Sequence, residues 1–265
     1  MQTSGSSFAH SFEALKKAFM AQIKQSAKTA LITGAARRIG RDIALDLART
    51  GHAIAVHYRR SRVQADELAG EIVKNGGRAI ALQADLAKFD ELHKLIEACA
   101  TKLGPPTCLI NNASEFMLDG IENLDEATWN LHQDINLKAP VFLAQAMVRH
   151  LPDGVEGNVI NIIDQRVWKL TPDFFSYTIS KAGLWTATRT LAQALAPRVR
   201  VNAIGPGPVL QSVHQKASDF AAEQASTLLK RGPTTAEIAA AVQFILSTPS
   251  MTGQMIALDG GQHLG

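Results

Sequence analysis

Short β-branched runs alternating with helix-length amphipathic stretches predict an α/β fold: a single doubly wound parallel sheet of about seven strands, flanked by helices. Two further observations support this class. The runs are apolar at successive positions, as strands are when helices cover both faces of a sheet. Glycines stop the intervening periodic stretches, Gly51 after "RDIALDLART" and Gly76-Gly77 after "VQADELAGEIVKN".

In chain order the candidate strands are TALIT (29–33), AIAVHY (53–58), RAIAL (78–82), TCLINN (107–112), NVINII (158–163), VRVNAI (199–204) and QMIAL (254–258). Residues 1–27 stand apart as an N-terminal extension. A polar start leads into a weakly amphipathic stretch with Leu15, Phe19 and Ile23 on one face, read as a loose tail or short helix. From 28 to 265 no linker, repeat or low-complexity tract breaks the alternation, so one domain is expected there. The Gly/Pro-rich "GPGPVLQS" at 205–212 is expected to form a mobile loop beside the functional site.

Composition narrows the function class. Hydrophobic residues make up 46% of the 265 and charged residues 19%, enough apolar material for a full core. A net charge of +3 suits an anionic ligand but falls far short of a nucleic-acid footprint. Cys99 and Cys108 fit neither CxxC nor finger spacing; they read as buried free thiols in a reducing, cytoplasmic setting. No run approaches the ~18 apolar residues that span a bilayer. No metal site and no membrane partner are expected.

In such a fold the first strand ends in a glycine-rich turn, whose backbone N–H groups and following helix N-terminus receive phosphates. Gly34 and Gly40, between "ALIT" and "RDIALDLA", stand in that context, with Arg38 and Ile39 ahead of the second glycine. A purely structural turn has the same two glycines, but a strand before and a helix after favour a dinucleotide. The second strand then selects the nucleotide. It ends His57-Tyr58-Arg59-Arg60-Ser61, with no carboxylate for a ribose 2′-hydroxyl and two arginines suited to a 2′-phosphate. NADP, working as NADPH, is the expected cofactor, and a solvated basic turn is the competing reading. Asp85 and Leu86 in "QADLA", and Asn111, Asn112 and Ala113 in "INNAS", fall at the strand ends along the cofactor's path. Taken alone, Asp85 reads equally well as a helix cap.

"YTISK" puts Tyr177 and Lys181 four residues apart on one helix face. An ammonium there favours the phenolate and brings its pKa toward neutrality. Such a pair is frequent by chance, and its company makes it specific. The glycine turn, "NNA", Asn136 in "DINLKAP", YxxxK, and "RVNAIGPG" with Pro206 and Gly207, in this order, resemble the short-chain dehydrogenase/reductase family. The resemblance runs from about residue 28 to the closing "ALDGG". It implies a Rossmann domain, usually in a homotetramer, that transfers hydride between a nicotinamide and a small-molecule substrate. It also implies roles: Tyr177 as proton donor, Lys181 as ribose ligand lowering the tyrosine pKa, and Asn136 holding a proton-relay water. Ser114, Tyr177 and Lys181 would touch the cofactor as well.

Two positions depart from that pattern. Asp164 stands thirteen residues before Tyr177, where the family has a serine, and Arg38 stands where it has a glycine. An ionised aspartate cannot donate to a carbonyl oxygen, but it can help a tyrosine deliver a proton to a ring nitrogen. Both departures occur together in the pteridine reductases, which the chain resembles at "TGAARRIG", "HYRRS", "NNASEF" and the Asp164–Tyr177–Lys181 spacing. That resemblance implies that Arg38 contacts cofactor phosphates and substrate, that Ser114 hydrogen-bonds substrate, and that Phe116 stacks a pterin ring against the nicotinamide. Core packing is the alternative for Phe116, and a solvated surface position is expected for Arg37. The chain also differs from that branch. "GPGPVLQS" lacks the serine those enzymes carry after its second glycine, and Trp168, Phe174 and Phe175 predict a differently shaped pocket. A reductase of another carbonyl or imine, and a catalytically silent NADP-binding regulator, stay open. The intact Tyr177, Lys181 and Asn136 count against the regulator.

Overall fold

The structure is a computed structural model that describes residues 28–212 and 215–265; the expected N-terminal extension lies outside the described residues. Its elements alternate from the first strand onward. β1 (Thr29–Ile32), α1 (Arg38–Arg49), β2 (Ala53–Tyr58), α2 (Arg62–Lys74), β3 (Ala79–Gln83), α3 (Phe89–Leu103) and β4 (Cys108–Asn111) form the first half. The second half holds α4 (Glu126–His132), a π-helical turn (Gln133–Lys138), α5 (Ala139–His150), β5 (Gly157–Ile162), α6 (Phe175–Leu195) and β6 (Val199–Pro206). It closes with α7 (Ala217–Ser226), α8 (Thr235–Ser247) and β7 (Met255–Leu258). The sheet order is β3-β2-β1-β4-β5-β6-β7, and every adjacent pair is parallel.

Alternation along each strand feeds two cores, one on each sheet face. Ala30, Ile32, Ile54, Val56, Ile160 and Ile204 point to the face covered by α1, α2 and α8, through Ile43, Leu47, Leu68, Ile72, Ile238 and Val242. Leu31, Ala55, Leu109, Val159 and Val201 point to the other face, covered by α3 and α5 through Leu92, Ile96, Leu143 and Met147. Burial of each such Leu or Ile contributes roughly 1.5–3 kcal/mol, which explains why most strand positions are apolar.

The strand ends differ slightly from the sequence expectation. β1 and β4 stop one residue early because Thr33 and Asn112 turn toward each other, the Asn112 N–H donating to Thr33 Oγ1 at 2.9 Å. β6 runs on through Pro206, which pairs with Leu258. The strand order reverses between β1 and β4, so their C-terminal ends frame the crevice where open α/β sheets bind ligands. Cys99 and Cys108 are free and buried, and burial pushes both thiols up to about 12. Among the described residues no helix is long and apolar enough to cross a membrane. Nor do three or more His, Cys, Asp or Glu gather among them to hold a metal.

Candidate active site

The glycine turn after β1 is braced from both sides. Gly34 has φ +62°, a left-handed conformation that glycine adopts without strain. Its N–H donates to His57 Nδ1 at 3.0 Å, and His57 Nε2 lies 3.1 Å from the Ala84 carbonyl. A backbone N–H is always a donor, so Nδ1 accepts and the ring proton sits on Nε2, donated to Ala84. Burial holds this imidazole neutral, with its pKa down at about 4. His57 is thus the prop of the turn. On the other side Asn112 Nδ2 donates to the carbonyls of Thr33, at 2.8 Å, and Gly34, at 3.2 Å. A Cβ on Gly40 would lie 2.6 Å from Asn112 Nδ2 and 2.7 Å from the Gly34 carbonyl oxygen, so this position admits no side chain.

The N-terminus of α1 is shaped for an anion: Arg37 gives it no side-chain cap, and its first turn holds no acid. Arg37 is exposed. Arg38 adopts φ +57°, the left-handed region where the family has glycine. Its guanidinium donates to the Leu210 carbonyl at 3.0 Å and the Gln211 carbonyl at 2.9 Å, so it ties the turn to the loop after β6. That loop is therefore engaged with the glycine turn, and Gly207 within it passes so close to Asp259 that a Cβ would lie 2.7 Å from the Asp259 Cα.

The expected 2′-phosphate cradle divides. Tyr58 packs into the core, 7% exposed, because it is an inward position of β2. Arg60 is exposed and Ser61 precedes α2. Arg59 faces the cleft, where it pairs with Glu115 at 2.8 Å. Gly34, His57, Arg59, Leu86, Ala113, Ser114 and Glu115 line this cleft together. Asp85 stands at its edge, with Oδ1 accepting the Ala87 N–H at 3.2 Å, a local turn and not a helix cap. Ile39 packs partly buried against the core, and Pro206 is a buried strand residue.

The second cluster forms at the ends of β4 and β5 and the start of α6. Tyr177 donates its hydroxyl proton to Asp164 Oδ2 at 2.9 Å, and Asp164 Oδ1 accepts the Arg166 N–H at 2.8 Å. Lys181 Nζ, one turn along α6, donates to the Ile162 carbonyl at 2.9 Å and lies 5.7 Å from the centroid of the Tyr177 ring. Burial brings its pKa down to about 8, against the opposing pull of Asp164. Burial also raises the Asp164 carboxyl, and the Tyr177 phenol is pushed well above its ordinary range by burial and by the Asp164 carboxylate. This corrects the expectation that Lys181 lowers the tyrosine pKa. A carboxylate in place of a neutral hydroxyl adds the negative charge that keeps the phenol protonated.

Asn136 lies on the π-helical turn. Its Oδ1 accepts from Ser114 Oγ at 3.1 Å and the Glu115 N–H at 2.9 Å, while Nδ2 donates to the Glu115 carbonyl at 3.0 Å and Ser180 Oγ at 3.1 Å. Both donors and both acceptor sites of the amide are thereby used. The side chain braces the loop after β4 against α6.

Phe116 stacks face to face on Phe174, centroids 4.2 Å apart at 9°, and meets Tyr177 edge-on at 4.7 Å. Arg166 covers the Phe174 ring at 5.1 Å. Phe174 itself has φ +56°, strained for an aromatic residue, at the entry to the catalytic helix. Trp168 turns away to His263, centroids 5.1 Å apart, and Phe175 donates its N–H to the Asp119 carbonyl at 3.3 Å.

Sequence reasoning passed over a buried chain beneath this site. The Met117 N–H donates to His132 Nε2 at 3.1 Å, so His132 carries its proton on Nδ1, which reaches Ser176 Oγ at 2.6 Å. Ser176 in turn donates to Asp119 Oδ2. The order suggests a hydrolytic triad, but Ser176 and His132 are each 0% exposed and Asp119 4%, so no substrate reaches them. The chain clamps the loop after β4 onto the helix that carries Tyr177. Asp119 lay in plain sight in "FMLDG"; no spacing rule connects it to a serine 57 positions later.

Comparison with known proteins places this geometry. The family model described as enoyl-(acyl carrier protein) reductase matches residues 34–263. The 3-oxoacyl-[acyl-carrier-protein] reductase of Synechocystis sp. is 33% identical over 240 residues, covering 89% of this chain and 97% of that one. Among solved structures, the FolM alternative dihydrofolate reductase 1 of Brucella suis, in complex with NADP, superimposes with a TM-score of 0.87 at 49% identity, covering 89% and 95% of the two chains. The Brucella canis counterpart, also with NADP, gives 0.85 at 48% identity, covering 89% of this chain and 94% of that one. With the matched model spanning nearly all the described residues and the Tyr177–Lys181 pair in place, the chain belongs to the short-chain dehydrogenase/reductase family.

Proposed function

We propose that the protein is an NADPH-dependent reductase of a pterin-like heterocycle, of the dihydropteridine or dihydrofolate type. The observation that carries this reading is the hydrogen bond from Tyr177 to Asp164, 2.9 Å long, where a serine would serve a carbonyl substrate. The similarity to the two Brucella dihydrofolate reductases supports it.

The residues present fit an NADP molecule. Gly34 and Gly40 let backbone approach phosphate, the uncapped N-terminus of α1 faces it, and Arg59 supplies the cation for a 2′-phosphate. When bound, NADPH supplies a hydride to the carbon of a C=N bond. The chain's own residues supply the rest. Tyr177, kept protonated, gives its proton to the nitrogen of that bond, and Asp164, raised by burial, can hold the proton that restores the phenol. Lys181 keeps a positive charge beneath the pair, so the phenolate formed during transfer is not left alone. Ser114 and the Phe116 ring border the same space, one offering a hydroxyl and the other a π-face.

Phe116 enters with one face already covered by Phe174. A flat ring that stacks on that face takes the place of Phe174, whose backbone is strained at φ +56°.

The similarity to 3-oxoacyl reductases favours a second reading, a carbonyl substrate. NADPH oxidation measured with dihydrobiopterin, dihydromonapterin and dihydrofolate, against a panel of ketones and 3-oxoacyl thioesters, separates the two. Turnover of a dihydropterin that is abolished by Tyr177→Phe is expected. Ketone turnover without pterin turnover would overturn the proposal.

A further inference from the structure

Arg59, the cation expected for the 2′-phosphate, already has a carboxylate partner. Its Nη2 lies 2.8 Å from Glu115 Oε1, with the two side chains 33% and 27% exposed. Arg59 follows β2 and Glu115 belongs to the loop after β4, and β1 lies between those strands. The ion pair thus reaches across the end of β1, above the Gly34 turn, and both residues line the cleft with Gly34, His57 and Leu86. The Glu115 backbone does not share this freedom. Asn136 holds its N–H at 2.9 Å and its carbonyl at 3.0 Å, so the carboxylate is aimed at Arg59 by a fixed loop.

We propose that Glu115 is a built-in competitor for the 2′-phosphate: its carboxylate occupies Arg59 in the cofactor-free protein and sets how strongly the site prefers NADP to NAD. This rests on the NADP reading above. A phosphate monoester carries about −1.5 to −2 charges at neutral pH and outbids a single carboxylate for the guanidinium. Even if the planar fork of Arg59 serves both anions, the carboxylate is left beside the phosphate, and like charges repel. NAD offers no group that competes for Arg59, and leaves the pair intact. The competition therefore weakens NADP and spares NAD.

Calorimetric titration of NADP⁺ and NAD⁺ into wild type, Glu115→Gln, Arg59→Ala and the double variant tests this. Glu115→Gln is close to isosteric and leaves the backbone bonds to Asn136 in place. It is expected to tighten NADP⁺ about fivefold, the size of one partly exposed ion pair, and to leave NAD⁺ unchanged. The gain is expected to vanish in the Arg59→Ala background. Unchanged or weaker NADP⁺ binding by Glu115→Gln would overturn the competition, as would equal tightening of both nucleotides. Wild type binding NAD⁺ as tightly as NADP⁺ would remove the cofactor reading itself, and the proposal with it; that result is visible before any variant is made.

Discussion

The two ends of the cleft are built on opposite principles. The Gly34 turn itself is held by neutral, mutually satisfied groups: His57 props it from one side and Asn112 from the other. Around Tyr177 ionisable groups crowd together with displaced proton affinities, Asp164 and Tyr177 raised and Lys181 lowered to about 8, beside the strained backbone of Phe174. The first arrangement suits a nucleotide cofactor, because a rigid turn recognises backbone-sized features. The second suits chemistry, because a proton held against its ordinary preference is ready to move.

The rigid end should break when its geometry is disturbed. Gly40→Ala puts a Cβ within 2.9 Å of three atoms, two of them backbone, so the helix and the turn cannot both stay in place. A loss of about 3 kcal/mol or more in urea unfolding is expected, together with loss of measurable NADP⁺ binding. Gly51→Ala is the control: its Cβ would meet nothing within 4 Å, and only its φ of +89° opposes the change. Equal effects at both positions would mean that close packing is not what Gly40 provides.

The same end should also show in acid. His57 titrates near 4 in the folded protein, against an ordinary value of 6.5. Between those values the unfolded chain takes up a proton that the folded one refuses, so stability falls as pH drops from 6.5 to 4. That displacement corresponds to about 3 kcal/mol. His57→Gln should be less stable than wild type at neutral pH yet lose less on acidification. Parallel pH profiles for the two proteins would remove His57 from the account.

Much of this was legible in the sequence, and the exceptions have physical reasons. Strand runs such as "AIAVHY" could be read because a sheet covered on both faces favours mostly apolar residues, and β2 spans that run. The Tyr177–Lys181 pair could be read because helical spacing brings i and i+4 together. The cradle in "HYRRS" was only partly legible: strand alternation turns Tyr58 inward and leaves Arg59 at the cleft, a distinction that depends on where β2 ends. The direction of the tyrosine shift was misread because it depends on which charge lies nearest, and Asp164 touches the phenol whereas Lys181 lies 5.7 Å from the ring centroid. The Asp119–Ser176–His132 chain and the Arg59–Glu115 pair join segments far apart in sequence, and no local pattern announces them.

The central claim is that Asp164 adapts a common reductase scaffold to a ring nitrogen. Steady-state kcat/KM for a dihydropterin and for a ketone, compared between wild type and Asp164→Ser, tests it most directly. The account predicts that pterin turnover falls about 100-fold, the usual scale for losing a proton-transfer partner, while ketone turnover holds or rises. Pterin turnover undiminished by the serine would contradict it.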